Sequence, residues 1–380
     1  MSGSRQRTPG AVDVAIVGGG IIGCTLAYEL ARKGISAAVI ERGEVGGEAS
    51  WASAGIISPP SHAAPPLRLE LGRRSLAGYP WLIATVQEET GVDVGYRHWG
   101  EILIARDEAE VAGLRELLAW QEGNGFDSEW VEATDLHDLE PALPAGLLGA
   151  VLVNDAGAVV VNRLTRALAR AAVARGAAVL EHTPAVGFAR EGDRTTGVRL
   201  ADGALLPAGQ VVLAAGAWTA RFGVDLDRPL PTLPVKGQMM ALADAPVMPH
   251  HVIGGAGGYL VPRTDGSIAV GATEERVGFD KRVTPAGLRE LIGLVEALGP
   301  GLLEGMVTAT WAGLRPGTID REPILGLVPG YRNLWVATGH FRQGVQLAIG
   351  TAELMVDSLQ AGRPDPLLDA ASAARFAAGT

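Results

Sequence analysis

Residues 12–41 read VDVAIVGGGIIGCTLAYELARKGISAAVIE, and the order of residue types within them decides the fold. VDVAIV (12–17) is short, apolar and rich in β-branched side chains, as a strand buried on both faces should be. Gly18 to Gly23 form a turn. Ile22 to Lys33 form a helix, and Gly34 stands where helices commonly end in a left-handed residue. SAAVI (36–40) is a second buried strand closing on Glu41, which completes a βαβ unit. The spacing Gly18-x-Gly20-x-x-Gly23 gives the unit a purpose. Gly18 permits the tight turn, Gly20 lets the backbone approach a pyrophosphate, and Gly23 lets helix pack closely on strand. The helix N-terminus, at Ile21 and Ile22, faces the phosphates. Glu41, about 20 residues on, would accept the ribose hydroxyls. The unit is a dinucleotide site.

Three features favour FAD over NAD. Glu41 is followed by Arg42 and then by GGEASWASAGIIS (46–58), a run of small residues suited to wrapping a pyrophosphate and a flavin. QVVLAAGAWT (210–219) is a buried strand ending in small residues at Gly216. Gly339 and Gly344 stand between the strand NLWVAT (333–338) and a long apolar helix over 344–360, whose N-terminus is placed to face the pyrimidine edge of a flavin.

Composition narrows the class. The chain has 380 residues, 47% of them hydrophobic, enough for two domains or three. The net charge of −10 is dispersed, which argues against nucleic acid as a partner. Cys24 is the single cysteine; it allows no intramolecular disulfide and no multi-cysteine zinc site, so no metal is expected. The first ten residues read as a disordered tail. No stretch reaches about 18 uninterrupted apolar residues, so a soluble, cytoplasmic protein with no membrane partner is expected.

Further along, helices are expected over 67–90, 108–123, 162–175 and 284–299, the last opening on Thr284-Pro285 as N-cap and first position. Residues 92–106 read as a hairpin, 46–60 as a loop and 178–213 as a β-meander turning at Asp202-Gly203. Residues 233–273 are strand-rich, 307–315 form a strand, and the tail after Pro364 is weakly ordered.

The residues resemble the D-amino acid oxidase superfamily of FAD enzymes, and within it the glycine oxidases of thiamine synthesis. The pieces that carry the resemblance run in order along almost the whole chain: IVGGGIIG, ER with GGEAS and ASAG, NRLTRAL, EHTP, VVLAAGAWT, PVKGQ, YLVPR with GATEE, GLRPGT with REPILG, and GHFRQG. The resemblance implies an α/β fold in which a Rossmann-type FAD-binding domain (11–80, 150–232, 310–365) is interleaved with a substrate domain (81–149, 233–309) built on a mixed, largely antiparallel sheet. It implies non-covalent FAD, oxidative deamination of glycine or a small amine with molecular oxygen as acceptor, and a homo-oligomer. Cys24, in the phosphate-binding helix, reads as a packed core thiol.

Removal of hydride from an amine whose own lone pair supplies the electrons is mainly a problem of positioning. The substrate carboxylate therefore needs a clamp, and guanidinium matches carboxylate bidentately. By resemblance, Arg315 and Arg342 supply it and the Tyr259 hydroxyl joins them; loss of Arg342 should raise KM by orders of magnitude. An internal ion pair, with Asp320 for instance, is the competing role for either arginine. His340 would touch flavin, act near the imine, or be structural. Ala49, Ser50, Ala54, Gly55, Ile56, Phe341, Gln343, Gly344, Val345 and Gln346 join the FAD contacts, with Ala185 on the adenine side, or Val186 if the register slips by one. Trp51, Trp218 and Trp311 read as packing. Glu274 stands at a pocket position where the resemblance implies an apolar residue. It either favours a cationic substrate or turns away to Arg276 or Lys281, and this leaves glycine, sarcosine and D-amino acids open. A quinone-linked D-amino acid dehydrogenase and a non-catalytic FAD-binding subunit are the alternatives.

Overall fold

The computed structural model describes residues 9–61, 63–224, 226 and 230–379. Most of the expected N-terminal tail, residues 1–8, lies outside the described residues.

Strand β1 (Val12–Val17), helix α1 (Ile21–Arg32) and strand β2 (Ala37–Ile40) form the βαβ unit within one residue of the expected limits. All of β2, and all of β1 except Asp13, is buried. This is the two-sided burial that their unbroken apolar runs require. β1 pairs in parallel with β2 on one side and with Leu205–Leu213 on the other. Ala178–Leu180 extends the parallel core beyond β2, Leu334–Thr338 extends it beyond Leu205–Leu213, and Ile324–Leu327 adds an antiparallel edge. Helices α1, Pro66–Thr90, Val161–Ala174 and Ala348–Ala361 cover one face through a core that includes Tyr28, Leu71, Leu164 and Leu354. Strands Ala185–Glu191 and Arg194–Leu200 fold over the other face with Phe188 and Val198. The helix Pro66–Thr90 runs unbroken through residue 80, and both Tyr79 and Leu82 belong to the helical core.

A second eight-stranded sheet runs in the order Met306–Thr318, Thr232–Ala243, Ile268–Gly271, Gly258–Pro262, Val252–Gly255, Glu101–Ala105, Gly149–Val153, Ser128–Glu132. Only the pairing of Val252–Gly255 with Glu101–Ala105 is parallel. The fold is therefore α/β, with a Rossmann-type sheet and a mixed, largely antiparallel one. Helix Pro285–Leu298 packs on the second sheet through Leu291, Val295 and Leu298, and the Thr284 side chain caps it by accepting from the Gly287 N–H at 3.2 Å. Among the described residues, no helix is long and apolar enough to cross a membrane.

Several local expectations need correction. Residues 92–106 are not a hairpin: Gly95 and Gly100 take φ of 65° and 78°, which breaks extended backbone, and only Glu101–Ala105 forms a strand. The loop over 46–60 contains a short helix, Ala49–Ala52, and a strand, Ile56–Ile57, paired with Gly157–Ala158. The meander begins at Ala185, because Ala178–Leu180 belongs to the parallel core. Ser128–Glu132 is a strand that was not expected. The last long helix starts at Ala348, so Gly344 lies in the turn before it. The tail is ordered by 3-10 turns, with Leu368 buried and Arg375 paired with Asp320 at 2.7 Å.

Candidate active site

The glycine turn opens a cleft that runs from the Rossmann sheet to the second sheet. Gly18 has φ 117°, and a Cβ there would lie 2.3 Å from the Ala214 carbonyl oxygen, so only glycine lets the turn approach the neighbouring strand. A Cβ on Gly23 would lie 2.0 Å from the Gly18 oxygen. Gly20, Ile21 and Ile22 line the cleft at the start of α1, where the first N–H groups have no partner within the helix. The Ser50 hydroxyl accepts from the Ile21 N–H at 2.9 Å and ties the Ala49–Ala52 turn to this helix end. The Glu41 carboxylate accepts from the N–H groups of Gly19 (2.7 Å) and Gly43 (2.9 Å), and the residue lines the cleft with acceptor capacity left over. Arg42 lies 3.8 Å over the Trp218 ring and pairs with Glu48 at 2.7 Å. Ala185 and Gly216 line the same end, whereas Val186 is exposed. Ala49, Ala54, Gly55 and Ile56 form the facing wall.

The far end is built on two long strands, Thr232–Ala243 and Met306–Thr318, in which Gly237 faces Gly313. A Cβ on Gly237 would fall 2.4 Å from Nη2 of Arg315, so the glycine lets the guanidinium lie flat across its strand. Arg315 donates from Nη1 to the Thr273 carbonyl at 2.9 Å and to the Lys236 carbonyl at 3.4 Å. Among the described residues it forms no ion pair. Burial lowers its pKa, although not enough to discharge an arginine. Tyr259 packs against Gly271 and Met239, with its hydroxyl 3.7 Å from Sδ of Met239. Burial pushes the phenol upward against the pull of Arg315 and Arg342, so it is a protonated donor at neutral pH.

Arg342 also lines the cleft, but it is already paired: Nη2 donates to Oε2 of Glu274 at 2.7 Å. Glu274 does not line the cleft; its other oxygen accepts from Arg321 at 2.8 Å. Its pKa is lowered: burial would raise it, but the hydrogen bond from Arg342 and the surrounding arginine charges outweigh that. The expected alternative partner Lys281 pairs instead with Glu48 at 3.0 Å, and Asp320 is taken by Arg375. His340 is buried with Nε2 3.1 Å from the Thr351 hydroxyl, and desolvation lowers its pKa from 6.5 to about 4. It is a neutral ring that lines the cleft and is held by Thr351 of the helix Ala348–Ala361.

Phe341, Gly344 and Val345 line the cleft, but Gln343 and Gln346 do not. Gln343 accepts from Arg68 of the helix Pro66–Thr90 at 3.0 Å, and Gln346 donates to the Ser58 carbonyl, so both tie this turn to neighbouring segments. Gly23 is likewise a packing residue. Trp218 does more than pack, since it lines the cleft beneath Arg42. Gly237 and Gly313 were missed, although an isolated glycine inside the strand-forming segment PVKGQ was a usable sign of close approach. Cys24 is a buried core thiol, as expected.

A family model described as FAD dependent oxidoreductase matches residues 13–358. The chain belongs to the FAD-dependent oxidoreductase family. Among its relatives, it is 37% identical over 354 residues to the glycine oxidase of Pseudomonas putida, covering 92% of this chain and 95% of that one. It is 35% identical over 373 residues to the bifunctional protein ThiO/ThiG of Synechocystis, covering 96% of this chain and 54% of that one. The crystal structure of glycine oxidase from Geobacillus kaustophilus superposes with a TM-score of 0.90 at 33% identity, over 97% of this chain and 99% of that one. The oxidoreductase thus takes FAD as its cofactor, and the residues present fit it. Gly18, Gly20 and the start of α1 form a cradle, with Gly18 held against Ala214 where no Cβ fits, and Glu41 stands beside it.

Proposed function

We propose that this FAD-dependent amino acid oxidase acts on glycine or another small amino acid. The α-carbon and amine are oxidised together to an imine, which hydrolyses to glyoxylate and ammonia in the case of glycine, while oxygen is reduced to hydrogen peroxide. The observation that carries this reading is Arg315, a half-buried guanidinium at the cleft wall that pairs with no carboxylate among the described residues, beside the Tyr259 phenol, which keeps its proton at neutral pH and can donate it. Such a pair is complementary to a carboxylate. FAD, when bound, supplies the two-electron acceptor. The protein's share is to bind the carboxylate and aim the α-hydrogen. Met239, Tyr259 and Leu314 line that end of the cleft beside two arginines, surroundings that favour a neutral amine over a cation. Similarity to glycine oxidases and to a ThiO/ThiG fusion supports a role in supplying the thiazole of thiamine. The same reading assigns residues 11–80, 150–232 and 310–365 to the cofactor-binding domain and 81–149 and 233–309 to the substrate domain, with Arg315 and Arg342 reaching the substrate from the former.

Anaerobic bleaching of the flavin by a panel of glycine, sarcosine, D-alanine and D-proline tests the proposal, with glyoxylate and peroxide measured in air. Arg315→Ala should retain FAD and raise KM for the best substrate by at least 30-fold, since loss of a buried charge-assisted contact costs roughly 2–5 kcal/mol. Arg342→Ala should have the smaller effect, because Arg342 is half-exposed and already paired. A wild-type flavin that none of the panel bleaches, or an Arg315→Ala enzyme with unchanged KM, removes the assignment. Reduction that reoxidises with quinone and not with oxygen would move it to a dehydrogenase.

A further inference from the structure

The segment Thr273–Glu274 touches both arginines of the cleft. Its backbone carbonyl at Thr273 accepts from Arg315 at 2.9 Å, and the next side chain, Glu274, holds Arg342 at 2.7 Å. We propose that Glu274 is a resident competitor for Arg342, which an incoming substrate carboxylate must displace, with Arg321 keeping Glu274 paired once it lets go. This rests on the amino acid oxidase reading above.

A substrate carboxylate approaching Arg342 meets the Glu274 carboxylate on the same guanidinium, and their like charges repel, so each weakens the hold of the other. Glu274 has somewhere to go. Its Oε1 is already 2.8 Å from Nη2 of Arg321, a residue that does not line the cleft. The three side chains are 25% (Glu274), 41% (Arg342) and 59% (Arg321) exposed, so the exchange takes place in partly solvated surroundings, where an ion pair can open without stranding a buried charge. The arrangement divides the labour between the arginines. Arg315 is the standing anchor, and Arg342 closes on the substrate only when the ligand outcompetes an internal carboxylate.

The proposal is tested by titrating the FAD-bound enzyme with acetate, a carboxylate that has no amine to oxidise, and following the flavin absorption band. Glu274→Gln should lower the acetate Kd about two- to fivefold, the span an exposed ion pair covers. Arg321→Ala should raise it by a similar factor, because Glu274 is then left with Arg342 alone. The double variant should behave like Glu274→Gln. A Glu274→Gln enzyme that binds acetate as the wild type does or more weakly would mean that Glu274 positions Arg342 and does not compete for it. An Arg321→Ala enzyme that is unchanged or tighter would equally overturn the exchange. Acetate that perturbs neither wild type nor Glu274→Gln would overturn it as well. Amine bleaching is read separately, so failure of the proposed activity and failure of the exchange are distinguishable.

Discussion

His340 shows how one residue's surroundings can outweigh its neighbourhood in sequence. It lies two positions before a cleft arginine, yet its ring is buried against Thr351 and its pKa falls from 6.5 to about 4. In the unfolded chain the ring takes up a proton below pH 6.5, whereas in the folded protein it refuses one until about pH 4. The unfolded state therefore binds more protons across that window, and stability declines as pH falls from 6.5 to 4 and levels off below. The shift corresponds to about 3 kcal/mol in total. Urea unfolding of the FAD-bound enzyme at pH 7 and pH 4 should show the wild type losing about 3 kcal/mol more than His340→Asn, which has no proton to gain. Equal losses in the two proteins would show that His340 is not the acid-sensitive group. At the same scale, the arginines were legible because GLRPGT and GHFRQG carry them in recognisable settings. Their inequality was not legible, because a sequence does not show which carboxylate folds back onto which guanidinium.

Elements were legible where local chemistry alone fixes them. The turn between β1 and α1 is the clearest case. Gly23→Ala would place a methyl 2.0 Å from the Gly18 carbonyl, a backbone atom that can yield only if the strand–helix contact opens. It should lower stability by about 2 kcal/mol, the usual cost of overpacking, and weaken FAD binding at the same time. Gly113→Ala, in the helix Glu108–Gly123, is the matching control. Nothing lies within 4 Å of the new methyl, so it should stabilise by up to about 1 kcal/mol through helix propensity and leave FAD affinity alone. Chemical denaturation and flavin titration of both variants check this, and a Gly23→Ala protein as stable as wild type would refute the packing role. Where partner choice decides, local pattern fails. Ala178–Leu180 is as apolar as the strands after it, but it pairs with β2 across the fold, and nothing within those three residues says so. Residues 92–100 alternate like a strand, yet two positive-φ glycines keep them out of the sheet. The C-terminal tail looked loose because its order comes from a distant partner, Asp320.

At the scale of the whole molecule, the cleft is the seam between two sheets that each have their own apolar core. Direct contacts cross it at several points, among them the Phe341 N–H donating to the Pro316 carbonyl at 2.9 Å and the Ala220 N–H donating to the Thr232 hydroxyl at 2.9 Å. A small apolar patch around Ala54, Ala158 and Met239 does so, as do the Trp311 indole N–H donating to the Ala52 carbonyl at 3.2 Å, Lys281 with Glu48, and Arg342 with Glu274. FAD held at Gly18, Gly20 and Glu41 and extending toward Arg315 would touch both walls and so serve as part of the interface. Ligand that binds only the folded state adds about 2.7 kcal/mol at a hundredfold excess over Kd. Spread over a chain of this length, that is a rise of about 3 °C in Tm. A cofactor confined to the Rossmann sheet would produce the same rise, so the rise alone does not decide the matter. Cooperativity does. With the seam filled, both cores should unfold together, and the calorimetric and van't Hoff enthalpies should agree. With FAD removed, the two sheets should melt partly independently, the transition should broaden, and the calorimetric value should exceed the van't Hoff one. Equal enthalpies in both forms would mean that the direct contacts already couple the sheets and that FAD stabilises the protein without joining them.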